Sequence, residues 1–423
     1  MRLSMRSYLT HTKHVMANPL YQGVLYKAVP LSVSLPFILP VRSPSLLHIS
    51  ELPCAIDKKK RNSMKSVQHD NLRAAVRAMI SAAGSLGDEP ELVADNLVYA
   101  NLTGHDSHGV GMLPTYMGCV LTGELKSNQH ASVISEDGAI VVIDGNAGYG
   151  QVIGGEAMDI GIDRARKHGV CVLAIRSSFH LCRIGAWGER CAASGMVSMH
   201  HVNMHGHYPL VAPFRGSDAR TSTNPYCCTL PATDNNPPVV VDFATSVIAM
   251  GKVRVANNKG ETLPDGILFN GAREATNDPE AMFVEPRGAI RPMGEHKGYC
   301  MNLVNELLAG AFTGSKTCRT ETDHENHTIL NNMLSIIIDP QRLAGENGWQ
   351  GEYDEAIAQS RASPPEHPDR PVLIPGEPER QMMAQRKRDG VPIDDETWQQ
   401  LLNAADSVGL ASTEFARLAG QTL

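Results

Sequence analysis

The middle of the chain alternates short, β-branched apolar runs with longer segments of helical periodicity. Runs of the first kind are typical of buried strands, and segments of the second kind predict amphipathic helices. The predicted strands are Ala139–Ile143, Val170–Ile175, Met196–Val202, Val239–Val241 and Leu334–Ile338, and the predicted helices are Gly154–His168, Ile184–Ala193 and Tyr299–Phe312. This alternation restricts the body of the chain to an α/β architecture.

Helical patterns also flank this body on both sides. An apolar stripe over residues 67–83 predicts one helix, and Asp88 followed by Pro90 and Glu91 predicts a second helix that begins with a capping box. The C-terminal region is rich in proline and ends in a helix expected near Asp395–Val408. We therefore expect a tail that wraps around the body and not an independent domain.

Residues 1–63 differ from everything that follows. Five basic side chains precede the first acidic residue, Glu51, and the proline-spaced run Ala28–Val41 has no helical period. A basic start of this kind resembles a targeting segment, but it contains no clear amphipathic helix with arginine on one face. We expect a disordered or artefactual N-terminal extension, with a real targeting segment as the alternative.

The overall composition is that of an ordinary soluble protein. Of 423 residues, 42% are hydrophobic and 20% are charged, and the formal net charge is −7. This acidic balance argues against a nucleic-acid partner, because proteins that bind nucleic acid normally present a basic surface. There is no apolar run of 18 residues that would suggest a membrane partner. The nine cysteines lack C-x-x-C spacing, so we expect reduced thiols and a cytoplasmic location.

A glycine-rich segment, Gly145–Gly154, lies between a predicted strand and a predicted helix. A dinucleotide-binding fingerprint occupies this position with the spacing G-x-G-x-x-G, but the last spacing here is one residue too long. The next strand leads into Arg176, where a Rossmann site for NAD carries an acidic residue that binds the ribose. The residues therefore disfavour a Rossmann fold, which is kept as an alternative.

The most polar short stretch is Gly104–Tyr116, in which His105, Asp106, Ser107 and His108 follow one another. Glycine and proline residues come next, and they allow a ligand to approach the backbone closely. We interpret this stretch as a candidate site. The alternative is a capped helix end with solvated histidines.

His180 and Arg183 follow the predicted strand Val170–Ile175. α/β proteins bind ligands at the carboxyl ends of their strands. Histidine can act as a general acid or base near neutral pH, and arginine can hold a carboxylate through two parallel hydrogen bonds. Together they provide what reduction of a 2-keto acid needs. The alternative is a capping histidine beside a surface arginine.

Three further groups of residues could bind a ligand. The run His200–His207 holds four histidines, which suits a transition metal. However, no carboxylate is near in sequence and successive strand residues point to opposite faces, so we expect no metal. Asp242 ends a buried strand. His296 and Lys297 open a helix, whose free N–H groups favour a pyrophosphate, with a solvated helix start as the alternative.

Taken in order, several motifs resemble the type 2 malate/L-lactate dehydrogenase family, which is distinct from the Rossmann lactate dehydrogenases. The matching segments are Gly104–Gly109, Thr223–Pro225, Asp242–Thr245, His296–Tyr299, Pro375–Glu377 and Arg388–Ile393. The resemblance extends from about Lys65 to Leu410. It implies NAD(P)-dependent interconversion of 2-hydroxy and 2-keto acids, and a homodimer with active sites near the subunit boundary. It also implies a non-Rossmann α/β fold, in which N-terminal helices join a mixed-sheet cofactor-binding body and a wrapping C-terminal tail.

The resemblance implies three segments after the extension. Residues 64–125 are expected to form a helical segment that packs with the C-terminal part, and residues 126–313 an NAD-binding α/β domain. Residues 314–423 are expected to complete the catalytic body. We expect NAD as the cofactor, with NADP as the alternative, because a site outside the Rossmann fold offers no single ribose-binding acid to inspect.

Individual residues take expected roles from the family motifs that they match. His180 matches the proton-transfer histidine, so hydroxy-acid oxidation should weaken below its pKa. His108 matches a histidine near the nicotinamide. The expected cofactor contacts are His108, Cys182, Arg183, Ile184, Val240, Val241, Asp242, Phe243, Ala244, His296, Lys297, Asn331, Gly376, Glu377, Pro378 and Glu379.

The chain departs from the family pattern at Met112, where many members carry an arginine expected to face the substrate carboxylate. Arg183 stands where many members have a small residue, and we hypothesise that it supplies the missing charge. Contact of Arg183 with the cofactor is the alternative. Met112 and Tyr116 would then line the substrate pocket, and the apolar wall would suit bulky side chains such as those of phenyl-lactates.

Three other functions are kept as alternatives. Related members of the family reduce cyclic imines or oxidise ureido acids. From other classes, the histidine run would suit a metal-dependent hydrolase, and the phosphate-binding features would suit a nucleotide-binding protein without catalysis.

Overall fold

The computed structural model of the protein describes residues 64–323 and 328–422. The expectations for residues 1–63 lie outside these residues. The described helices are α1 (His69–Ala82), α2 (Glu89–Leu102), α3 (Leu113–Thr122), α4 (Gly150–His168), α5 (Gly185–Ala193), α6 (Met250–Lys259), α7 (His296–Glu306), α8 (Pro340–Ala344), α9 (Gln350–Arg361), α10 (Glu377–Asp389), α11 (Asp395–Ser407) and α12 (Ser412–Leu418). The described strands are β1 (Met64–Val67), β2 (Ser132–Asp137), β3 (Ile140–Asp144), β4 (Val170–Phe179), β5 (Val197–His205), β6 (Tyr226–Leu230), β7 (Val239–Phe243), β8 (Leu268–Phe269), β9 (Ala275–Thr276), β10 (Ala289–Ile290), β11 (Leu330–Ile338) and β12 (Val391–Asp394).

A seven-stranded mixed sheet forms the centre of the body, in the order β2-β3-β4-β11-β5-β6-β7. Within this sheet, β3 and β4 are parallel, with Ile140 opposite Val172, and the other neighbouring strands are antiparallel. A Rossmann sheet is mostly parallel. The prediction of a non-Rossmann α/β fold with a mixed sheet is therefore confirmed.

Strand β11 comes late in the chain and lies in the middle of this sheet. Met333 is opposite Ile175 of β4 on one side and Val202 of β5 on the other. All three side chains are buried, and they share one apolar core with Met158 of α4 and Trp187 of α5. Residues from both halves of the chain are thus needed to build the sheet.

A second core joins the two ends of the described chain. β1 pairs with β12, so that Val67 lies opposite Val391. The predicted stripe of α1 is buried, including Leu72, Val76 and Met79, and α1 packs on α12 while α3 packs on α11. The predicted wrapping tail is therefore confirmed.

The structure corrects several predicted boundaries. α4 begins at Gly150, four residues before the predicted start, and β7 continues to Phe243. α7 begins at His296 and ends at Glu306, and a π-helical turn over Leu307–Ala311 follows. The sequence pattern missed these ends because glycine at a helix start and polar residues at a strand end weaken the apolar period.

The predicted capping box of α2 is wrong, although the helix itself is present. Asp88 adopts helical backbone angles (φ −89°, ψ −7°), and its side chain caps no N–H group. The carboxylate of Glu89 instead accepts the backbone N–H of Asn128 at 2.9 Å. The start of α2 is therefore held by a distant loop and not by a local cap.

Candidate active site

A cavity of about 750 Å³ opens where the Gly104–Met112 turn meets the ends of β4 and β7. His108, Met112 and His180 line this cavity together. A cavity of this size is ordinary for a small-molecule or cofactor site. No described helix has the length and apolar character needed to cross a bilayer.

The C-terminal tail fixes the turn that carries His108. Arg386 of α10 donates to both carboxylate oxygens of Asp106, at 2.6 and 2.9 Å, and also to the carbonyl of Asn101. The amide of Asn101 donates to Asp106 at 2.7 Å. A bidentate arginine–carboxylate pair is geometrically specific, so α10 determines where the turn lies.

The other polar residues of this turn have different partners. His105 Nε2 lies 3.4 Å from Glu379 Oε1 on α10, and the side-chain hydroxyl of Ser107 contacts His108 Nδ1 at 2.9 Å. A Cβ added at Gly251 of α6 would overlap the side chain of Ser107. Two helices therefore hold this stretch in place, which corrects the alternative of a solvated helix end.

His180 stands in a tightly packed turn after β4. A Cβ added at Gly150 would overlap the His180 carbonyl oxygen, so glycine is required where α4 begins. The N–H of Leu181 donates to Asn331 Oδ1 at 2.8 Å. Cys182 has a left-handed backbone (φ 63°), and its thiol donates to the carbonyl of His108 at 2.8 Å. These contacts couple the two histidine-bearing turns.

Tyr116 and Gln151 orient the imidazole of His180. The amide of Gln151 donates to the Tyr116 hydroxyl at 3.1 Å, and this hydroxyl lies 2.8 Å from His180 Nδ1. The hydroxyl oxygen has two lone pairs, so it can accept from both Gln151 and the Nδ1–H of His180. With the proton of neutral His180 on Nδ1, Nε2 keeps its lone pair for the cavity.

This arrangement corrects the expectation that Tyr116 faces the substrate. Its side chain is fully buried behind His180, in edge-on contact with Phe179 at a centroid distance of 5.2 Å. Tyr116 does not line the cavity. Met112, by contrast, lines it as expected and is almost fully buried.

The two histidines of the cavity are close together and electrostatically coupled. The rings of His108 and His180 are stacked, with centroids 5.5 Å apart and an angle of 18° between planes. Burial lowers the pKa of His180 to about 4. Burial, followed by the charge of His180, lowers the pKa of His108 well below its usual value. Both rings are therefore neutral near pH 7.

Arg183 needs a correction, because its guanidinium is already occupied. It donates to both oxygens of Glu189 at 2.9 Å, and its Nε lies 3.6 Å from Asp242. Only 1% of the side chain is exposed, although the residue borders the cavity. Tyr99 also donates to Glu189 at 2.8 Å, and Gly185 N–H donates to Asp242 at 2.8 Å. Arg183 is thus neutralised by two carboxylates and is not a free anchor for a substrate.

The predicted cofactor contacts fall into two groups. Those that line the cavity are His108, Cys182, Arg183, Ile184, Asp242, Phe243, Ala244, Asn331, Pro378 and Glu379. Those outside its lining are Val240, Val241, His296, Lys297, Gly376 and Glu377. The first group brings together five separate segments of the sequence, which is the arrangement expected of one ligand site.

The start of α7 lies beyond the cavity wall. His296 and Lys297 are exposed, and the ring of His296 contacts Phe214 at a centroid distance of 5.9 Å. A Cβ added at Gly298 would overlap the carbonyl of Met293, which itself lines the cavity. Glycine at this position therefore lets the helix begin close to the cavity.

The histidine run on β5 has structural partners. His200 is fully buried between the hydroxyls of Ser198 and Ser335, at 2.9 and 2.8 Å, and His201 contacts Asn305 at 2.8 Å. Within the described residues, no group of three or more histidine, cysteine or acidic side chains is placed to hold a metal ion. The run therefore contributes hydrogen bonds to the sheet.

A family model for malate/L-lactate dehydrogenase matches residues 67–402. The chain belongs to the malate/L-lactate dehydrogenase family. It is 42% identical over 340 residues to hydroxycarboxylate dehydrogenase B of Escherichia coli strain K12, which covers 80% of this chain and 93% of that relative.

Solved structures of the malate/L-lactate dehydrogenase family agree with this fold. A malate/lactate dehydrogenase-like protein of E. coli has a TM-score of 0.79 and 40% identity, with 84% of this chain and 99% of that chain covered. Delta1-piperideine-2-carboxylate reductase from Pseudomonas syringae pvar. tomato has a TM-score of 0.69 and 28% identity, with 80% and 99% covered. The resemblance seen in the motifs is confirmed, and the protein is an oxidoreductase, a dehydrogenase that acts on the CH–OH group of hydroxy acids.

Three site residues of this dehydrogenase were missed in the sequence. Gln151 lies inside the glycine-rich segment Gly145–Gly154, in which the glycine spacing is the strongest sequence signal. Glu189 follows Arg183 by six residues and lies within the predicted helix Ile184–Ala193. Its position in the sequence therefore indicated a possible ion pair with Arg183. Arg254 lines the cavity from α6, but nothing near it in sequence links it to His108 or His180.

Proposed function

We propose that this dehydrogenase interconverts 2-hydroxy acids and 2-keto acids with NAD, or with NADP, and that His180 moves the proton. The observation that carries the proposal is the orientation of His180, which has Nδ1 bonded to Tyr116 and Nε2 left to a cavity. An oriented imidazole in a closed site is suited to proton transfer at a substrate oxygen.

The size of the cavity supports a nicotinamide cofactor as its ligand. Its volume of about 750 Å³ is in the range of small-molecule and cofactor sites. We propose that Asp242, Phe243 and Ala244 hold the cofactor on one side of the cavity. When bound, the nicotinamide supplies or accepts the hydride.

In the oxidation direction, neutral His180 accepts the proton of the substrate hydroxyl at Nε2. Its pKa of about 4 keeps it neutral, and so competent as a base, well below pH 6. In the reduction direction, His180 donates a proton to the forming alkoxide. A substrate carboxylate in the same buried cavity favours the protonated ring, because an opposite charge nearby raises the pKa of a histidine.

The low pKa of His180 shifts the expected pH response. Hydroxy-acid oxidation by the free enzyme should not weaken near pH 6.5, where an ordinary histidine becomes protonated, but only on approach to pH 4. Loss of oxidation with an apparent pKa near 6.5 would contradict this assignment of His180 as the base.

We further propose substrates with bulky apolar side chains. Met112, Leu210, Met250 and Ile329 all line the cavity, so several apolar side chains face the ligand. Burying a phenyl or branched side chain against such a wall favours binding by about 25 cal/mol per Å². Aromatic 2-keto acids should therefore be reduced with a higher kcat/KM than pyruvate.

The test is a screen of 2-keto acids of graded size with NADH and NADPH, on wild type and on His180→Asn. The variant should lose about 10²- to 10⁴-fold in kcat, while NADH binding, followed by fluorescence, stays intact. His130→Asn is the matched control, since His130 is exposed and lies outside the cavity. Full activity of His180→Asn would refute the role of His180.

A second candidate is reduction of a cyclic imine that carries a carboxylate. The similarity to delta1-piperideine-2-carboxylate reductase favours this possibility. The same screen should include a cyclic imino acid, and a kcat/KM above that of every keto acid would make the second candidate the main activity. Nothing in the described site favours a metal-dependent hydrolase or a nucleotide-binding protein without catalysis.

We also propose a cytoplasmic homodimer. The described cysteines are all free thiols, as is usual in a reducing compartment. A second copy would cover the exposed apolar side chains at the end of α7 and in the turn after it, namely Leu303, Val304, Leu307 and Phe312. Light scattering of the purified enzyme measures its molecular mass and so tests whether it is a dimer.

A further inference from the structure

The substrates of the proposed function carry a carboxylate, and a carboxylate needs a cationic partner in the cavity. Arg183, Lys252 and Arg254 are the lysine and arginine residues in the cavity lining. Arg183 is paired with two carboxylates, and Lys252 is exposed on the first turn of α6. Arg254 is left as the partly buried cation.

Arg254 lies against the turn from which the family arginine is missing. Its Nη2 donates to the carbonyl of Gly111 at 3.2 Å, and a Cβ added at Gly111 would lie 3.3 Å from that nitrogen. Gly111 directly precedes Met112. A guanidinium from α6 therefore lies beside the backbone of the residue before Met112.

The charge of Arg254 has no carboxylate partner among the described residues. No carboxylate oxygen of these residues lies within 4.0 Å of its guanidinium. Burial lowers the pKa of Arg254, and Asp394 is the acid that opposes this effect. Both oxygens of Asp394 already accept hydrogen bonds from Thr397. A partly buried cation without a paired carboxylate is costly unless a ligand supplies the opposite charge.

Arg254 is also electrostatically close to the histidines of the cavity. Its charge contributes to lowering the pKa of His108, after burial, His180, His105 and Arg183. Because His108 is stacked on His180, a cation beside the turn that carries His108 stands in the same part of the cavity as the proton-transfer ring. This matches a 2-keto acid, whose carboxylate is attached to the reacting carbon.

We propose that Arg254 binds the carboxylate of the substrate, replacing from α6 the arginine that is absent at Met112. The inference rests on the proposed function. A guanidinium can grip a carboxylate through two parallel hydrogen bonds. The site therefore selects acids over esters or amides, while Met112 leaves room for a large side chain.

The experiment compares Arg254→Gln, Arg254→Lys and Lys259→Gln with wild type, using phenylpyruvate and its methyl ester with NADH. Loss of a hydrogen-bonded charge should lower kcat/KM for the acid by about 10- to 100-fold in Arg254→Gln. The ester should change less than threefold, so the preference for acid over ester collapses. Arg254→Lys should recover part of the preference. Lys259→Gln should keep it, because Lys259 lies in the last turn of α6 and outside the cavity lining.

The outcomes separate the possible failures. An unchanged preference in Arg254→Gln, or an equal rise in the Kd for NADH, would overturn the assignment and leave the proposed function standing. Wild type that reduces no 2-keto acid would remove both. Retained NADH binding, with an unchanged circular dichroism spectrum, shows that the variant is folded.

Discussion

Replacement of Tyr116 by phenylalanine should disable the orientation of His180 while leaving the ring in place. The change removes the hydroxyl that lies 2.8 Å from His180 Nδ1 and that accepts from Gln151 at 3.1 Å. His180 then loses the acceptor that favours a proton on Nδ1 and an unprotonated Nε2. A hydrogen bond of this kind contributes about 1 kcal/mol, so kcat should fall between about fivefold and tenfold in both directions.

The same change also has a stability cost that must be separated from its effect on catalysis. The amide of Gln151 is buried and loses its acceptor, which costs about 1–3 kcal/mol. Tyr149→Phe is the matched control, because Tyr149 is equally buried and its ring lies 6.1 Å from Tyr116. Its hydroxyl makes no contact with His180, so this control should leave kcat unchanged.

The assay is steady-state kinetics at saturating NADH, from pH 5 to 9, on Tyr116→Phe, Gln151→Leu and the double variant. If both residues act through one hydrogen bond to His180, the double variant should lose no more kcat than Tyr116→Phe alone. A Tyr116→Phe enzyme with lower thermal stability but wild-type kcat would refute the orienting role, and so would strictly additive losses.

Two further predictions concern stability. Burial lowers the pKa of His200 to about 3, below its value in the unfolded chain. The contribution of neutral His200 to the free energy of unfolding is therefore fully present above about pH 6.5. It is lost at about 1 kcal/mol per pH unit as the pH falls toward 3. Urea unfolding at pH 7 and pH 5 should show a smaller difference for His200→Gln than for wild type, and equal differences would contradict the argument. Asp106→Asn should leave Arg386 without its counter-charge, which lowers the free energy of unfolding by about 1–2 kcal/mol and raises the Kd for NADH. Asp70→Asn, at an exposed position, is the control. An unchanged Tm in Asp106→Asn would argue that the ion pair between Arg386 of α10 and Asp106 does not hold the turn in place.

The fold class was accessible from sequence because it depends on local patterns. The stripe of α1 and the β-branched runs identify elements from neighbouring residues, and the odd glycine spacing at Gly145–Gly154 correctly argued against a Rossmann fold. In the structure these glycines serve close packing. A Cβ at Gly150 would overlap the backbone of His180, and one at Gly154 would lie 2.7 Å from the ring of Trp187.

The charge arrangement of the site was not accessible in the same way. Arg183 is a plausible anchor when read beside His180, but Asp242, which lies 3.6 Å from its Nε, is far away in the chain. Tyr116 follows His108 closely in sequence, yet it points behind His180. Sequence proximity indicated which segments form the site, whereas only the fold decides which groups are neutralised and which face the ligand.

The pairing of β1 with β12 has a consequence for how the protein is made. The ribosome synthesises α1 early, but α12, which packs on it, and β12, which pairs with β1, are among the last elements to emerge. The central sheet is also completed late, because β11 lies between β4 and β5, which are synthesised long before it. During synthesis the chain therefore exposes Leu72, Val76 and Met79 and an open sheet edge, and such surfaces favour aggregation. Chaperones that bind nascent chains should therefore matter more for the folding of this enzyme than for a protein whose domains each fold as soon as they are synthesised.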